Sequence, residues 1–149
     1  MASLLIVAHF PLASSLQAVA RHAYPDCSQR LAAVDIPENS SLAEAETTIR
    51  AALVGLAPSE VLILADVFGA TPCNAAVAAA DGTMTRVVAG VSVPMLWRVL
   101  CYADCALDDL VIRAVAGAAQ GALHVAIPRQ QNQPVPPGKH DQVKHHHQQ

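Results

Sequence analysis

Four short apolar runs recur along the first 91 residues, at 3–8, 31–36, 60–65 and 86–91. They read SLLIVA, LAAVDI, EVLILA and RVVAGV, and most of their positions are Val, Ile, Leu or Ala. Near-continuous apolar runs of this length are typical of strands that are buried on both faces of a parallel sheet. The pattern therefore predicts four buried strands.

The segments between these runs carry a helical period. After the first run, apolar residues recur on one helical face at Leu12, Leu16, Val19, Ala20 and Ala23. After the second run, SLAE at 41–44 reads as a capping box with Ser41 as N-cap, which predicts a helix from about 42 to 55. A shorter helix is expected at about 73–80. Strands alternating with helices indicate an α/β fold, a doubly wound parallel sheet with helices on both faces.

The C-terminal part divides into a folded portion and a tail. Two further helices are expected after Val91, and ALHVAI at 122–127 alternates like a last strand. The last residues, 129–149, are rich in Pro, Gln and His and have no apolar face, so we expect a disordered tail. A chain of 149 residues suits one domain, here residues 1–128.

Composition and charge narrow the function classes. Residues 1–127 hold eleven acidic and six basic side chains, so a nucleic-acid partner is not expected. No GxGxxG or Walker motif occurs and no lysine precedes Lys139, which disfavours a nucleotide cofactor. The four cysteines lack the paired spacing of a zinc site, and the first apolar run is too short for a signal peptide or a membrane span. We expect a cytoplasmic protein without a metal or cofactor.

Candidate chemistry lies just after the strands, because ligands of open parallel sheets collect beyond the strands' carboxyl ends. His9 closes the first run and Asp66 follows the third. If the two strands are neighbours, Asp66 can hold one ring nitrogen of His9 and leave the other nucleophilic. If they are not, His9 packs locally and Asp66 caps a loop. Spacing alone leaves both interpretations open.

The segment GATPCNAA, 69–76, suggests an anion site at the same edge. Thr71 can act as N-cap and Pro72 as the first residue of the following helix. A helix N-terminus there would favour a phosphoryl group. Gly69 would let the backbone approach such a ligand, although a plain tight turn explains it equally well.

Together these features resemble the enzyme IIA component of the mannose (mannose-fructose-sorbose) family of the bacterial phosphoenolpyruvate:sugar phosphotransferase system. The resemblance spans residue 3 to about 127. It rests on LLIVAH, on LILADVFGATPCNAA and on VVAGVSVPML at 87–96. Three motifs in this order are specific, whereas any one of them alone would be weak.

The resemblance implies a phosphocarrier of sugar transport or its regulation. His9 would accept a phosphoryl group from the histidine phosphocarrier protein, Asp66 would orient the imidazole, and Thr71 with Gly69 and Ala70 would bind the phosphoryl oxygens. The family implies a strand order of 2-1-3-4 plus an antiparallel C-terminal strand, commonly exchanged in a homodimer. The next acceptor would be a separate enzyme IIB or a regulatory protein, and membrane contact would be indirect, through a transporter.

The sequence departs from the family's usual form after the histidine. Many members have Gly there, whereas this chain has Phe10 and Pro11, which put an apolar ring beside the imidazole and remove an amide. A non-catalytic regulatory binding module, signalling by protein contact, stays open as the alternative function.

Other chemistry-bearing residues are given structural interpretations. His22 and His124 are expected at the surface or in the core rather than as ligands, and Cys73 is expected to be an inert thiol. Trp97 is expected to pack in the core or in an interface. His140 and the histidines at 145–147 have no defined fold around them, so no metal site is predicted in the tail.

Overall fold

The structure is a computed structural model that describes residues 1–128, so the tail predicted at 129–149 lies outside the described residues. Within them, four strands alternate with four α-helices and a fifth α-helix follows; a short 3₁₀ helix at Cys27–Arg30 precedes the second strand. The strands are β1 (Ser3–His9), β2 (Leu31–Ile36), β3 (Val61–Ala65) and β4 (Thr85–Ala89). The helices are α1 (Leu12–Ala23), α2 (Leu42–Leu56), α3 (Thr71–Ala79), α4 (Val93–Leu100) and α5 (Leu107–Gly121).

The strands form one parallel sheet in the order β2-β1-β3-β4, which confirms the predicted fold class and strand order. Strand β1 lies at the centre, where Val7 pairs with Val34 of β2 on one side and with Ala65 of β3 on the other. The carboxyl ends of β1 and β3 therefore adjoin. This is the edge at which crossovers leave for opposite faces, where doubly wound folds place their sites.

The side chains of β1 alternate between two apolar cores. Leu4 and Ile6 belong to the core that α1, α4 and α5 cover, while Leu5 and Val7 belong to the core under α2 and α3. All four are buried, and each contributes about 1.5–3 kcal/mol by leaving water. Burial on both faces explains why the strand reads as a continuous apolar run in the sequence.

The predicted capping box starts α2. The Ser41 hydroxyl accepts a hydrogen bond from the Glu44 N–H at 3.2 Å, and Glu44 Oε2 accepts one from the Ser41 N–H at 2.8 Å. The Ser41 N–H, followed by its hydroxyl, lowers the pKa of Glu44 below its ordinary value. Two amides that would lack helical partners are thereby satisfied.

Helices α4 and α5 approach closely through glycine. A Cβ at Gly117 would lie 2.9 Å from the Arg98 Cβ, and one at Gly121 would collide with the Pro94 ring. Since Pro94 lies in the first turn of α4, just beyond β4, helix α5 ends at the carboxyl edge of the sheet.

The expected fifth strand at 122–127 does not form in the single chain. Residues 122–128 leave α5 without regular secondary structure, and Leu123, Val125 and Ile127 are 78%, 76% and 88% exposed. Their alternation suits a strand, but in the single chain the segment pairs with neither of the two outer strands, β2 and β4. Among residues 1–128, no helix combines the length and the apolar character needed to cross a bilayer.

Candidate functional site

His9 and Asp66 meet at the carboxyl edge of the sheet. His9 is the last residue of β1, and Asp66 directly follows β3, the neighbouring strand. Asp66 Oδ2 accepts a hydrogen bond from the His9 N–H at 2.9 Å and lies 2.6 Å from His9 Nδ1. Of the two interpretations that spacing left open, the structure thus brings the pair into direct contact.

Three further backbone contacts hold Asp66 in place. Its Oδ1 accepts a hydrogen bond from the Val67 N–H at 2.8 Å, and its carbonyl accepts one from the Gly90 N–H at 3.0 Å. Beside it, the Val91 N–H donates to the Ala65 carbonyl at 2.9 Å. Gly90 has a φ of +91°, a conformation that favours glycine, and so turns the chain from β4 back onto Asp66. The carboxylate therefore has a fixed position.

The surroundings of Asp66 set its charge. Partial burial by itself raises the pKa of this carboxyl, but the N–H donors of His9 and Val67 outweigh burial and hold the pKa below its ordinary value. Asp66 is therefore ionised at neutral pH and can only accept hydrogen bonds.

An acceptor-only Asp66 fixes the tautomer of His9. Nδ1 must carry the proton in the 2.6 Å contact, so Nε2 of the neutral ring carries the lone pair. The His9 side chain is 49% exposed, whereas that of Asp66 is 9% exposed. The pair thus consists of a nucleophilic nitrogen open to solvent and a shielded carboxylate behind it.

Helix α3 begins at Thr71, before the predicted first residue Pro72 and the predicted range of about 73–80. Ala70, not Thr71, is the N-cap, so Thr71 is the first helical residue and Pro72 the second, and no side chain caps the helix. The Asn74 N–H closes the first turn on the Ala70 carbonyl at 2.9 Å. The prediction of Thr71 as a cap was wrong because Ala70 already has the extended backbone of a cap residue, which leaves the Thr71 hydroxyl free of that role.

The turn before α3 is built on Gly69. Its φ of +88° lies in the left-handed region, and its carbonyl accepts a hydrogen bond from Asn74 Nδ2 at 3.1 Å. Of the two roles the sequence allowed, the tight turn is present. Asn74 was not identified from sequence; its only signal is a polar residue in an otherwise alanine-rich helix.

Four helices begin at this edge, and three of them receive a side-chain oxygen at their N-terminal amides. Asp35 Oδ1 accepts from the Ser14 N–H in α1 at 3.2 Å, Ser41 caps α2, and Ser92 Oγ accepts from the Met95 N–H in α4 at 3.3 Å. Of these four helices, α3 alone lacks such an acceptor. Its first amides and the positive end of its dipole are left for an external anion.

The charged groups at this edge are carboxylates. Asp35, Glu38 and Asp66 lie in or just after the strands, and within residues 1–128 no Lys or Arg occurs in the segments 9–15, 35–42, 66–74 and 90–92. No group of three or more His, Cys, Asp or Glu side chains in residues 1–128 could hold a metal ion. Stabilisation of an anion here rests on amides, hydroxyls and the helix dipole.

The remaining candidates lie outside this constellation. His22 and His124 are exposed, and Cys73 is buried in α3 with 2% exposure. Trp97 packs edge to face on Tyr24, with ring centroids 5.8 Å apart. Trp97 is nevertheless 37% exposed, so it does not lie in the core, and packing in an interface stays a prediction.

Comparison with known proteins identifies the type of fold. A family model described as PTS system fructose IIA component (EIIA-man) matches residues 3–115. A search of curated protein sequences found no match.

Solved structures with the same fold include IIA components of the phosphotransferase system. The mannose/sorbose-specific IIA subunit of the phosphotransferase system from Enterococcus faecalis is similar at a TM-score of 0.78 and 24% identity, covering 87% of this chain and 98% of that one. Phosphotransferase system component EIIA from Streptococcus agalactiae gives 0.74 and 19%, covering 83% and 97%. The IIA protein associated with the fucose utilization operon of Streptococcus pneumoniae gives 0.68 and 20%, covering 83% and 96%.

Proposed function

Because the chain belongs to the mannose-type (EIIA-man) family of IIA components of the sugar phosphotransferase system, we propose that it is a phosphocarrier that bears its phosphoryl group on His9. The observation that carries this proposal is the contact of His9 Nδ1 with Asp66 Oδ2 at 2.6 Å. It directs the lone pair of the exposed imidazole to Nε2, the atom that would attack phosphorus.

In the proposed step, the donor is the phosphohistidine of the histidine phosphocarrier protein. A P–N bond forms at Nε2 of His9 while the P–N bond of the donor breaks, and the donor leaves as an imidazole. His9 keeps its Nδ1 proton throughout. The positive charge that develops on its ring is stabilised by the Asp66 carboxylate, which the His9 and Val67 amides already orient.

Helix α3 would hold the transferred group. Its N-terminus lacks a side-chain acceptor, and Thr71 in its first turn offers a hydroxyl that is not used as a cap. We assign phosphoryl binding to Thr71 together with the backbone of Gly69 and Ala70, the turn that leads into this helix. The absence of Lys and Arg from the edge segments makes these neutral donors the source of stabilisation within the described chain.

A homodimer would complete the sheet. Leu123, Val125 and Ile127 alternate along the segment after α5 and are largely exposed in the single chain. Their apolar side chains therefore remain in contact with water. Exchange of this segment between two copies would pair it as the antiparallel fifth strand and cover those side chains. We propose this exchange as the basis of assembly.

The phosphoryl group would then pass to a separate enzyme IIB or serve as a signal to a regulatory protein. The cytoplasm is the proposed location, since all four cysteines are free thiols and such thiols persist in a reducing compartment. The alternative function, a non-catalytic regulatory module, predicts that partner binding does not depend on the imidazole of His9.

The deciding experiment incubates the protein with phosphoenolpyruvate, enzyme I and the histidine phosphocarrier protein, and maps the acid-labile modification by mass spectrometry. We expect one phosphoryl group on the peptide containing His9, loss of that modification in His9→Ala, and retention in His22→Gln, a matched change at an exposed histidine. An unmodified His9 beside a fully phosphorylated positive control overturns the proposal. Partner binding that persists in His9→Ala supports the alternative function, a non-catalytic regulatory module.

A further inference from the structure

Both phenylalanines of the chain are exposed beside the His9–Asp66 pair. Phe10 directly follows His9 and is 68% exposed, while Phe68 lies two residues after Asp66 and is 85% exposed. Aromatic rings usually contribute to a core, where each buries a large apolar area. In this protein the core is aliphatic, and the two rings stand in solvent at the reactive edge.

Three further exposed apolar residues adjoin the two phenylalanines in the sequence. Val67 is 52% and Leu12 is 40% exposed, and Pro11 is exposed between Phe10 and α1. We call Phe10, Pro11, Leu12, Val67 and Phe68 the edge patch. Apolar side chains grouped around a polar centre mark an interaction surface more often than single exposed apolar residues do.

Hydrogen bonds and the turn at Gly69 fix the backbone at both phenylalanines. The Phe10 N–H donates to the Ile36 carbonyl at 3.0 Å, so the residue is fixed to the end of β2. Phe68 lies in the turn in which the Val67 N–H is bound by Asp66 and Gly69 adopts its positive φ. A patch presented on a fixed backbone loses less entropy when a partner covers it.

The charge of this edge selects the kind of partner. Its carboxylates are Asp35, Glu38 and Asp66, and the described segments around them carry no Lys or Arg. A phosphoryl group that arrives here brings more negative charge. Electrostatic complementarity therefore requires that the positive charge comes from the partner's side of the contact.

From these observations we infer that Phe10 and Phe68 are the docking contacts for the phosphoryl-donor protein, and that they select a donor whose phosphohistidine lies on an apolar face with basic side chains at its rim. The inference rests on the proposed function, because it concerns the donor for the same His9. Phe10 distinguishes this chain from many members of the family, which have glycine directly after the histidine.

The test compares two phosphoryl donors for His9. One is the phosphorylated histidine phosphocarrier protein, which must dock, and the other is phosphoramidate, which is too small to touch both rings. Phe10→Ala, Phe68→Ala and the double variant are measured, with modification quantified on the His9 peptide. The matched control is Val54→Ala, which truncates a 76% exposed apolar side chain on α2, outside the patch.

For each phenylalanine variant we expect the KM for the protein donor to rise roughly tenfold or more, as for central interface anchors. We expect the ratio of protein-donor to phosphoramidate rates to fall by the same factor, while Val54→Ala keeps the wild-type ratio. Raising the salt concentration should increase the wild-type KM, because the donor's rim is basic.

Two results overturn the inference. An unchanged KM in the double variant excludes the rings as docking contacts, and if that variant also loses the dimer, the edge patch is a contact between copies instead. A KM that falls as the salt concentration rises excludes a basic donor rim. Each of these requires a wild-type His9 that is phosphorylated, whereas failure of the proposed function would appear as wild-type His9 that neither donor system modifies.

Discussion

A single oxygen of Asp66 accepts both the backbone N–H and the ring Nδ1–H of His9, at 2.9 Å and 2.6 Å. The carboxylate therefore fixes where the β1 terminus lies and how its imidazole is turned. Its second oxygen is occupied by the Val67 N–H at 2.8 Å. The contact demands two acceptors on one side chain, and a carboxylate supplies them.

Asp66→Asn keeps the shape of the side chain and removes its charge, so it tests whether the charge of Asp66 matters for phosphorylation of His9. An amide has one acceptor oxygen, so its NH₂ group must face either the Val67 N–H or His9, and facing His9 it would favour the tautomer with a protonated Nε2. We expect phosphorylation of His9 to slow by roughly a hundredfold. The matched control is Asp35→Asn, a carboxylate on the neighbouring strand that contacts Ser14 rather than His9. Equal losses in both variants would contradict the orienting role of Asp66.

The lowered pKa of Asp66 predicts the direction of a pH effect on stability. Since the folded-state pKa lies below that of the unfolded chain, the stabilisation is fully present above about pH 4 and is lost as the pH falls through the folded-state pKa. Urea unfolding of wild type and Asp66→Asn, followed from about pH 5 downward, should give a difference in the free energy of unfolding that shrinks toward acid. A difference that grows toward acid would show that folding raises the pKa of Asp66 instead of lowering it.

Thr71→Ala should affect chemistry without affecting stability. The hydroxyl does not cap α3, so we expect the free energy of unfolding to change by less than about 0.5 kcal/mol. Phosphorylation of His9 should slow by roughly tenfold or more, because a donor to the phosphoryl oxygens is lost, and Thr71→Ser should restore it. A stability loss of about 1 kcal/mol would indicate a capping role instead.

Gly69 and Gly55 form a matched pair for backbone conformation. A Cβ at either position meets nothing within 4 Å, but Gly69 has a φ of +88° and Gly55 lies in α2. Gly69→Ala should destabilise the protein by about 1–2 kcal/mol through the left-handed conformation. Gly55→Ala should stabilise it by about 0.5–1 kcal/mol through helix propensity. Thermal unfolding of both variants measures the difference, and equal shifts would exclude a conformational cause.

Val125→Asp should weaken the proposed exchange of residues 122–128. A charge in the middle of the alternating apolar face opposes its burial in a second copy. Light scattering after size exclusion should give twice the 15.6 kDa chain mass for wild type and a shift toward the chain mass for the variant. Val54→Asp, on exposed α2, is expected to leave the mass unchanged. A monomeric wild type would contradict the proposal.

The sequence predicts the strands well because their chemistry is local. Residues such as Leu5 and Ile6 point to opposite cores, so both must be apolar, and the run is visible without knowledge of the neighbours. The contact of His9 with Asp66 is different, since it depends on β1 and β3 being adjacent, which spacing does not state. Strand order came from the resemblance to a known family rather than from the pattern.

One prediction failed and a second is not met by the single chain, in both cases where a local pattern had competing solutions. Thr71 is a favourable cap residue by type, yet the left-handed turn at Gly69 and its contact with Asn74 start α3 at Ala70's extended backbone. Residues 122–127 have the alternation of a strand, but a strand also needs a partner, and in the single chain this segment pairs with neither outer strand of the sheet. Both outcomes are decided by neighbours in space, which composition and period do not specify.

The close packing of Gly121 on Pro94 places the end of α5 and the N-terminus at opposite edges of the sheet, which decides where a label or fusion partner can be attached. The chain runs out of α5 at the edge that holds His9, whereas Ala2, whose N–H donates to the Ala103 carbonyl at 3.0 Å, lies with Met1 at the opposite edge. A label or fusion partner attached before Met1 therefore stays a full strand length away from the imidazole. One attached directly after Gly121, where α5 ends, would begin at the edge that holds His9 and would compete with any protein that approaches it.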